Sequence, residues 1–383
     1  MKLRVGLGIG LASVPALLLA SELRIKRPTQ PLTNAWRDAR IESRGPTLLG
    51  ISYRSPQIDA FGLDPRSTFS ALLDYPFEVV RLGAYWNRIE PAPGVFEPRE
   101  LDWQVEAAER AGKQIIVCVG ALKTFGYPEF FAPRHVVPSL PENTRIGASE
   151  YGVLLSAACE FIERIVDRYK HSSRIVAWQV EHEAVDPLGM EHSWRLDAGF
   201  VEREVQAARE ADPSRPILMN GYLPVSLPVR LSQWWQTRDQ GDSLAVAQRL
   251  ADVVGVDFYP RHALLSLGPS SLYLDSSRSP WRLRRLDQLF AWARRNGKRV
   301  IISEGQAEPW EAVTVPPNPA AHTPYSCPPE MLIDNYNQCV RRARQAQFSL
   351  DAYLFWGAEY WMVRQRAGDT SYLQAFARVV NGP

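Results

Sequence analysis

Cysteine, lysine and histidine are all scarce in this chain. Four cysteines in 383 residues (Cys118, Cys159, Cys327 and Cys339) are too few for a disulfide scaffold, and their spacing matches no zinc pattern. Cys118 falls in an apolar strand pattern and Cys159 in a helical one, so they read as thiols. Six histidines without an HExxH motif give no His-built metal site, and neither a metal nor an organic cofactor is expected. An excess of one charge is missing too. With 44 Lys+Arg against 42 Asp+Glu, the formal charge of +2 offers no field for polyanions, so a nucleic-acid partner is disfavoured. Only six of the basic residues are Lys, and the Arg residues are scattered rather than clustered. No G-x-G-x-x-G opens a helix after the first strand, and there is no P-loop.

What is present is apolar and aromatic. At 45% hydrophobic residues the chain can bury enough surface to offset the entropy of ordering, which excludes disorder. Twelve Trp and fourteen Tyr supply flat amphipathic rings, most of them for the core and some suited to stacking on sugar faces.

Lys2 and Arg4 precede an uncharged run of 16 residues, Val5 to Ala20. That layout predicts a signal peptide or short membrane anchor over residues 1–21, with the protein secreted or tethered on the extracytoplasmic side. Residues 22–46, with Pro28 and Pro31 and no clear apolar period, read as a polar linker. The body begins near Thr47.

From there short β-type runs alternate with longer amphipathic stretches, the signature of a parallel sheet built from βα units. The strands are expected at Leu48–Tyr53, Glu78–Gly83, Gln114–Gly120, Ile175–Val180, Ile217–Gly221, Val253–Tyr259, Arg299–Ser303 and Ala352–Trp356. Helical patterns cover Glu100–Ala111, Glu150–Tyr169, Val201–Ala211, Trp281–Asn296 and Glu330–Gln345. Gly112 and Gly297 stand where two of these helices must stop. Eight strands with right-handed crossovers close into a barrel, so the fold class expected is α/β, a single (β/α)8 TIM barrel over residues 47–383.

Chemistry in such a barrel gathers where strands end and βα loops begin. Those positions carry Arg81, Trp86, His182, Glu183, Tyr222, Tyr259, Glu304 and Trp356. Glu183 and Glu304 follow the fourth and seventh strands, which a barrel can set face to face across its mouth. Two carboxyl groups can divide the cleavage of a glycosidic bond: one donates a proton to the leaving oxygen, the other attacks or stabilises the oxocarbenium carbon. Arg81 and Tyr259 are the residue types that would hold the second carboxylate in its charged form. Glu181 is expected to face away from His182 and form a structural ion pair. Glu308 reads either as lining the cleft or as the substitute nucleophile, Gln306 and Trp310 are candidate sugar contacts, and Trp86, Lys123, Phe125, Tyr127, Tyr222 and Tyr325 in βα loops are either subsite residues or plain packing. Trp234 and Trp235 read either as a platform or as core.

The arrangement resembles the glycoside hydrolase clan A superfamily of retaining (β/α)8 enzymes, which includes cellulase-like, β-galactosidase-like and β-mannanase-like families. Trp178-Gln179-Val180-Glu181-His182-Glu183-Ala184 resembles the fourth-strand motif and Val300-Ile301-Ile302-Ser303-Glu304-Gly305 the seventh. The resemblance implies Glu183 as acid/base and Glu304 as nucleophile, with Arg81 supporting the nucleophile and Tyr259 bonded to it. It places Trp356 as the floor of the sugar site and Trp86 in the second-strand region. His182 departs from the superfamily's usual Asn, which bonds the sugar 2-hydroxyl. The function expected is hydrolysis of a β-linked oligo- or polysaccharide by retaining double displacement. The alternative is a catalytically silent barrel that binds glycans in envelope assembly or recognition, which the His182 substitution favours.

Overall fold

The computed structural model describes residues 20–26, 34–137, 139–186, 194–237, 242–267, 270–310 and 326–382. All eight expected strands form: β1 (Leu48–Ser52), β2 (Val79–Gly83), β3 (Gln114–Cys118), β4 (Ile175–Gln179), β5 (Ile217–Tyr222), β6 (Val253–Phe258), β7 (Arg299–Gln306) and β8 (Ala352–Trp356). They pair in chain order, every pair parallel, and β8 closes on β1. Each is followed in sequence by one main helix: α1 (Pro65–Leu73), α2 (Arg99–Arg110), α3 (Gly152–Tyr169), α4 (Ala198–Ala211), α5 (Ser243–Leu250), α6 (Pro280–Asn296), α7 (Pro329–Gln345) and α8 (Ser371–Val380). The stops expected at Gly112 and Gly297 are there, with φ of 71° and 61°, the left-handed backbone that glycine enters without a Cβ clash.

Two cores result. Val79, Ile116, Ala177, Leu218, Val253, Ile301 and Leu354, one from each of β2 to β8, fill the barrel itself. The outward strand faces meet the helices in a larger apolar layer. The barrel is thus plugged below, and polar residues that point inward can only gather above the plug, at the C-terminal ends of the strands.

Two regions differ from their sequence reading. The stretch between the expected sixth strand and the helical pattern Trp281–Asn296, where no strand was expected, holds an antiparallel hairpin, Arg261–Leu267 with Ser270–Asp275, extended to three strands by Leu23–Lys26. The segment 22–46, expected as a linker, is in its described part docked on the barrel. Trp36 is buried, Arg378 donates to its carbonyl and to that of Ala39, and the Glu42 amide donates to Asn337 Oδ1. A polar sequence with two prolines conceals this, because many of the contacts use backbone groups and few of the side chains involved are apolar. The expected leader or anchor over 1–21 lies outside the described residues except for Ala20 and Ser21. Among the described residues no helix is long and apolar enough to cross a membrane.

Candidate active site

Strand periodicity puts Arg81 on β2, Gln179 on β4 and Asn220 on β5 two residues beyond plug positions Val79, Ala177 and Leu218, all on the inward face. They are buried and form one hydrogen-bonded chain. Arg81 Nε donates to Gln179 Oε1 at 2.7 Å, and Gln179 Nε2 donates to Asn220 Oδ1 at 2.9 Å. Asn220 Nδ2 then faces His182 Nδ1 at 2.9 Å and Asp257 Oδ2 at 2.5 Å. A guanidinium only donates, so each amide orientation is fixed in turn and His182 Nδ1 must accept. The imidazole is therefore neutral and carries its proton on Nε2. Burial, together with the positive charges of Arg81 and Lys123, pushes its pKa well below the ordinary histidine value. Nδ1 lies 3.4 Å from Glu304 Oε1, a contact between two acceptors rather than an ion pair.

β7 carries a bulge at the candidate nucleophile. Ile302 pairs with Val256, but the next partner along β6, Asp257, pairs with Glu304, so Ser303 is the extra residue. Bulges re-aim side chains. Here Ser303 Oγ donates to Asp257 Oδ1 at 2.8 Å, while Glu304 faces two donors. Arg81 Nη1 reaches its Oε1 at 2.8 Å and the Tyr259 hydroxyl its Oε2 at 2.7 Å.

Opposite, the chain leaving β4 passes through left-handed backbone at Glu181 (φ 57°) and Glu183 (φ 43°). Such conformations cost non-glycine residues about 1–3 kcal/mol each and persist only where the surroundings enforce them. Lys123 enforces them here: its Nζ donates to the carbonyl of Glu183 at 2.7 Å and of Asp186 at 3.2 Å, and its own carbonyl accepts from the His182 amide. Glu181 does turn away from His182, as expected. The ion pair is replaced by backbone donors, the amides of Leu122 and Lys123 at 2.9 and 2.6 Å. Gly120 permits this approach, since a Cβ there would lie 2.2 Å from the Glu181 nitrogen.

Glu183 thus enters an acidic cluster. Burial first, then the charges of Asp257, Asp186, Glu129 and Glu304, hold its pKa well above the ordinary carboxyl value. Burial and then the charge of Glu304 push Asp257 up to about 8, and burial pushes Glu129 up to about 7. The surroundings of Glu183 thus favour its protonated form, which is hydrogen-bonded to Asp257. A carboxyl whose folded pKa is raised binds its proton more tightly folded than unfolded. The stability it adds is complete below the unfolded values of 3.8 and 4.5 and is lost as pH climbs through the folded ones. The melting temperature is therefore expected to fall by some degrees between about pH 5 and about pH 9, and to fall less in Asp257→Asn. Calorimetric scans at both ends of that window check it, and a melting temperature that rises with pH contradicts it.

These groups line a pocket of about 430 Å³, within the size range of small-ligand sites. Glu183, Glu304, His182, Tyr259 and Trp356 share its wall with Arg54, Tyr127, Glu129, Tyr222, His262, Glu308 and Trp310. Arg54 is buried with its guanidinium 4.2 Å over the Trp356 ring. It donates to both carboxylate oxygens of Glu308 at 2.8 and 2.9 Å and also to Glu359. Bidentate pairing leaves Glu308 as a wall residue, not the substitute nucleophile.

Trp86 is not part of the pocket. It opens the short helix Trp86–Ile89, which leads the chain outward from β2, so its ring is buried, stacks on Phe161 with centroids 5.1 Å apart and donates to Glu90. Arg81 acts from beneath, through Glu304. Phe125 lies under the Arg81 guanidinium at 3.9 Å, and Gln306 bonds the backbone of Arg261. Trp234 and Trp235 are exposed, which rules out core, and Tyr325 lies outside the described residues.

Sequence reading overlooked Asp257, Asn220 and Glu129. The first two had a signal: each precedes a noted tyrosine, Tyr259 or Tyr222, by two residues and so shares a strand face with it. Glu129 sits in a loop and had none. A ring nitrogen of His182 and oxygens of Asp257 and Glu304 come within 4.8 Å of one another, the spacing of a metal-binding group. Each carboxylate oxygen already accepts one hydrogen bond, from Ser303, Asn220, Arg81 or Tyr259, and the single lone pair of His182 Nδ1 is taken by Asn220, so that nitrogen joins a cation only by giving up its bond.

No family model and no curated protein matches the sequence. The fold, in contrast, is similar to solved (β/α)8 glycoside hydrolases. A psychrophilic family 10 endo-β-1,4-xylanase matches with a TM-score of 0.53 at 16% identity, covering 92% of this chain and 99% of its own. A GH5_18 protein from Streptomyces cattleya, solved with Manβ1-4GlcNAc, gives 0.50 at 16% identity, over 81% and 70% of the two chains. An intracellular xylanase from Thermoanaerobacterium saccharolyticum, solved with xylotriose, gives 0.50 at 15%, over 82% and 87%. At these identities the likeness is one of fold alone, a closed (β/α)8 barrel.

Proposed function

We propose that the protein is a retaining glycoside hydrolase acting on a β-linked saccharide. The observation that carries this reading is the unequal pair of carboxyls in one pocket, Glu183 biased toward its protonated form by burial and acidic neighbours and Glu304 held by Arg81 and Tyr259. Environments that push two carboxyls apart in proton affinity assign acid and base. In the first step Glu304 attacks the anomeric carbon as Glu183 passes its proton to the leaving oxygen, giving a glycosyl–enzyme ester. In the second, Glu183, now ionised, takes a proton from water as that water displaces Glu304. His182, proton on Nε2, donates to a sugar hydroxyl, and Trp356 offers a ring face beside it. The uncharged N-terminal run supports export or tethering outside the cytoplasm.

The test is the configuration of the first-formed sugar. A panel of aryl β-glycosides identifies a cleaved substrate, and proton NMR during the first minutes should show the β-anomer appearing before mutarotation. Initial appearance of the α-anomer overturns the double displacement, and binding without any product supports the silent glycan-binding barrel.

A further inference from the structure

Large apolar side chains are exposed in one region beside the pocket. Among the described residues eight are substantially exposed, and six of them (Ile25, Leu231, Trp234, Trp235, Leu264 and Leu265) lie on three linked elements. These are the strand Leu23–Lys26, the hairpin beginning at Arg261 and the helix Leu227–Thr237. Ile25 and Leu265 both register on Leu272, so the three form an apolar row across the small sheet. A register shift at Leu264 adds it to the exposed set. Glu22, buried, ties the strand to the helix, accepting from Ser226 Oγ at 2.6 Å and from the Leu227 amide. Val229 of that helix and Leu264 of the hairpin both line the pocket, so the apolar surface borders its mouth.

Scattered exposed leucines need no explanation, but a concentration of two Trp, three Leu and an Ile marks an interaction surface. Its position in the chain names the partner. The uncharged run Val5–Ala20 leads straight into Glu22 and the strand. As a helix such a run would reach about 24 Å, short of a bilayer core of about 30 Å, and a single marginal apolar anchor holds reversibly. Stable attachment needs a second contact. Trp at a surface patch flanked by the exposed cations Arg24 and Arg230 is suited to the headgroup boundary of an anionic membrane.

We propose that this face docks on a phospholipid bilayer beside the N-terminal run and sets the mouth of the pocket at the membrane surface. Taken with the hydrolase reading, on which this last step rests, the substrate class is a saccharide carried on a lipid.

Flotation of the full chain with vesicles of phosphatidylcholine and phosphatidylglycerol tests the docking without reference to catalysis. The full chain should float, and Trp234→Ser/Trp235→Ser/Leu265→Ser, with residues 1–19 intact, should lose about tenfold or more of its bound fraction. Brominated phosphatidylcholine should quench the native tryptophan fluorescence more than that of Trp234→Phe/Trp235→Phe, which preserves the apolar surface. Equal flotation and equal quenching in native and variant chains overturn the proposal, as does failure of the native chain to float. A native dimer that the triple substitution turns into a monomer reassigns the surface to a second copy. The triple variant should lose cleavage of alkyl β-glycosides embedded in vesicles, while any soluble aryl glycoside the native protein cleaves is still turned over. If that soluble activity is missing from the native protein the hydrolase reading fails, and flotation alone still decides the docking.

Discussion

Glu304→Ala is expected to lose about 10⁴-fold or more of turnover, since removing a nucleophile removes the covalent path altogether. The loss should be reversible by a small anion. Alanine leaves a gap where the carboxylate stood between Arg81 and Tyr259, and azide placed there attacks from the nucleophile's side. With Glu183 still available to protonate the leaving group, the product is a glycosyl azide of inverted, α configuration. Mass spectrometry and NMR of that adduct identify both the role and the face of attack. A Glu304→Ala variant that keeps native turnover excludes the assignment outright.

Glu183→Ala should show the complementary pattern. Loss of a general acid costs about 10²–10⁴-fold where the leaving group needs a proton. A dinitrophenyl glycoside, whose leaving group needs none, should pass through the first step almost unimpaired and accumulate the glycosyl–enzyme. The pH profile carries a second signature. Because a general acid at Glu183 acts from its protonated form, and burial and acidic neighbours raise its pKa, native activity should persist beyond neutral pH and decline only as the Glu183–Asp257 pair gives up its proton. That alkaline limb should vanish in the variant. A limb that survives unchanged assigns the acid to another residue, Asp257 or Glu129.

The barrel was legible because its strands are runs of Val, Ile and Leu punctuated by turn residues, and the two glutamates because they stand just past those runs. Asp257 and Asn220 were hidden by the same logic. A polar residue inside an apolar run looks like an interruption, whereas in a plugged barrel it is the layer above the plug. Trp86 went the other way, since distance along the chain does not tell which way a turn leaves the strand. The contacts of Arg54 with Glu308 and Glu359 span 254 and 305 residues and depend on β1 meeting β8, which no local pattern encodes. The apolar row through Ile25, Leu272 and Leu265 likewise exists only once the hairpin and the N-terminal strand have paired.

That meeting of first and last strands bears on how the protein is made. Arg54 leaves the ribosome early and Glu359 near the end, and until both are present a guanidinium destined for the interior has lost one of its two carboxylate counter-ions. Burying it in that state is unfavourable by several kcal/mol, so synthesis reaches its final residues before the cavity wall beside Trp356 can set. A nascent chain, or one cut short after β7, holds both glutamates of the proposed chemistry but no finished place to seat a sugar.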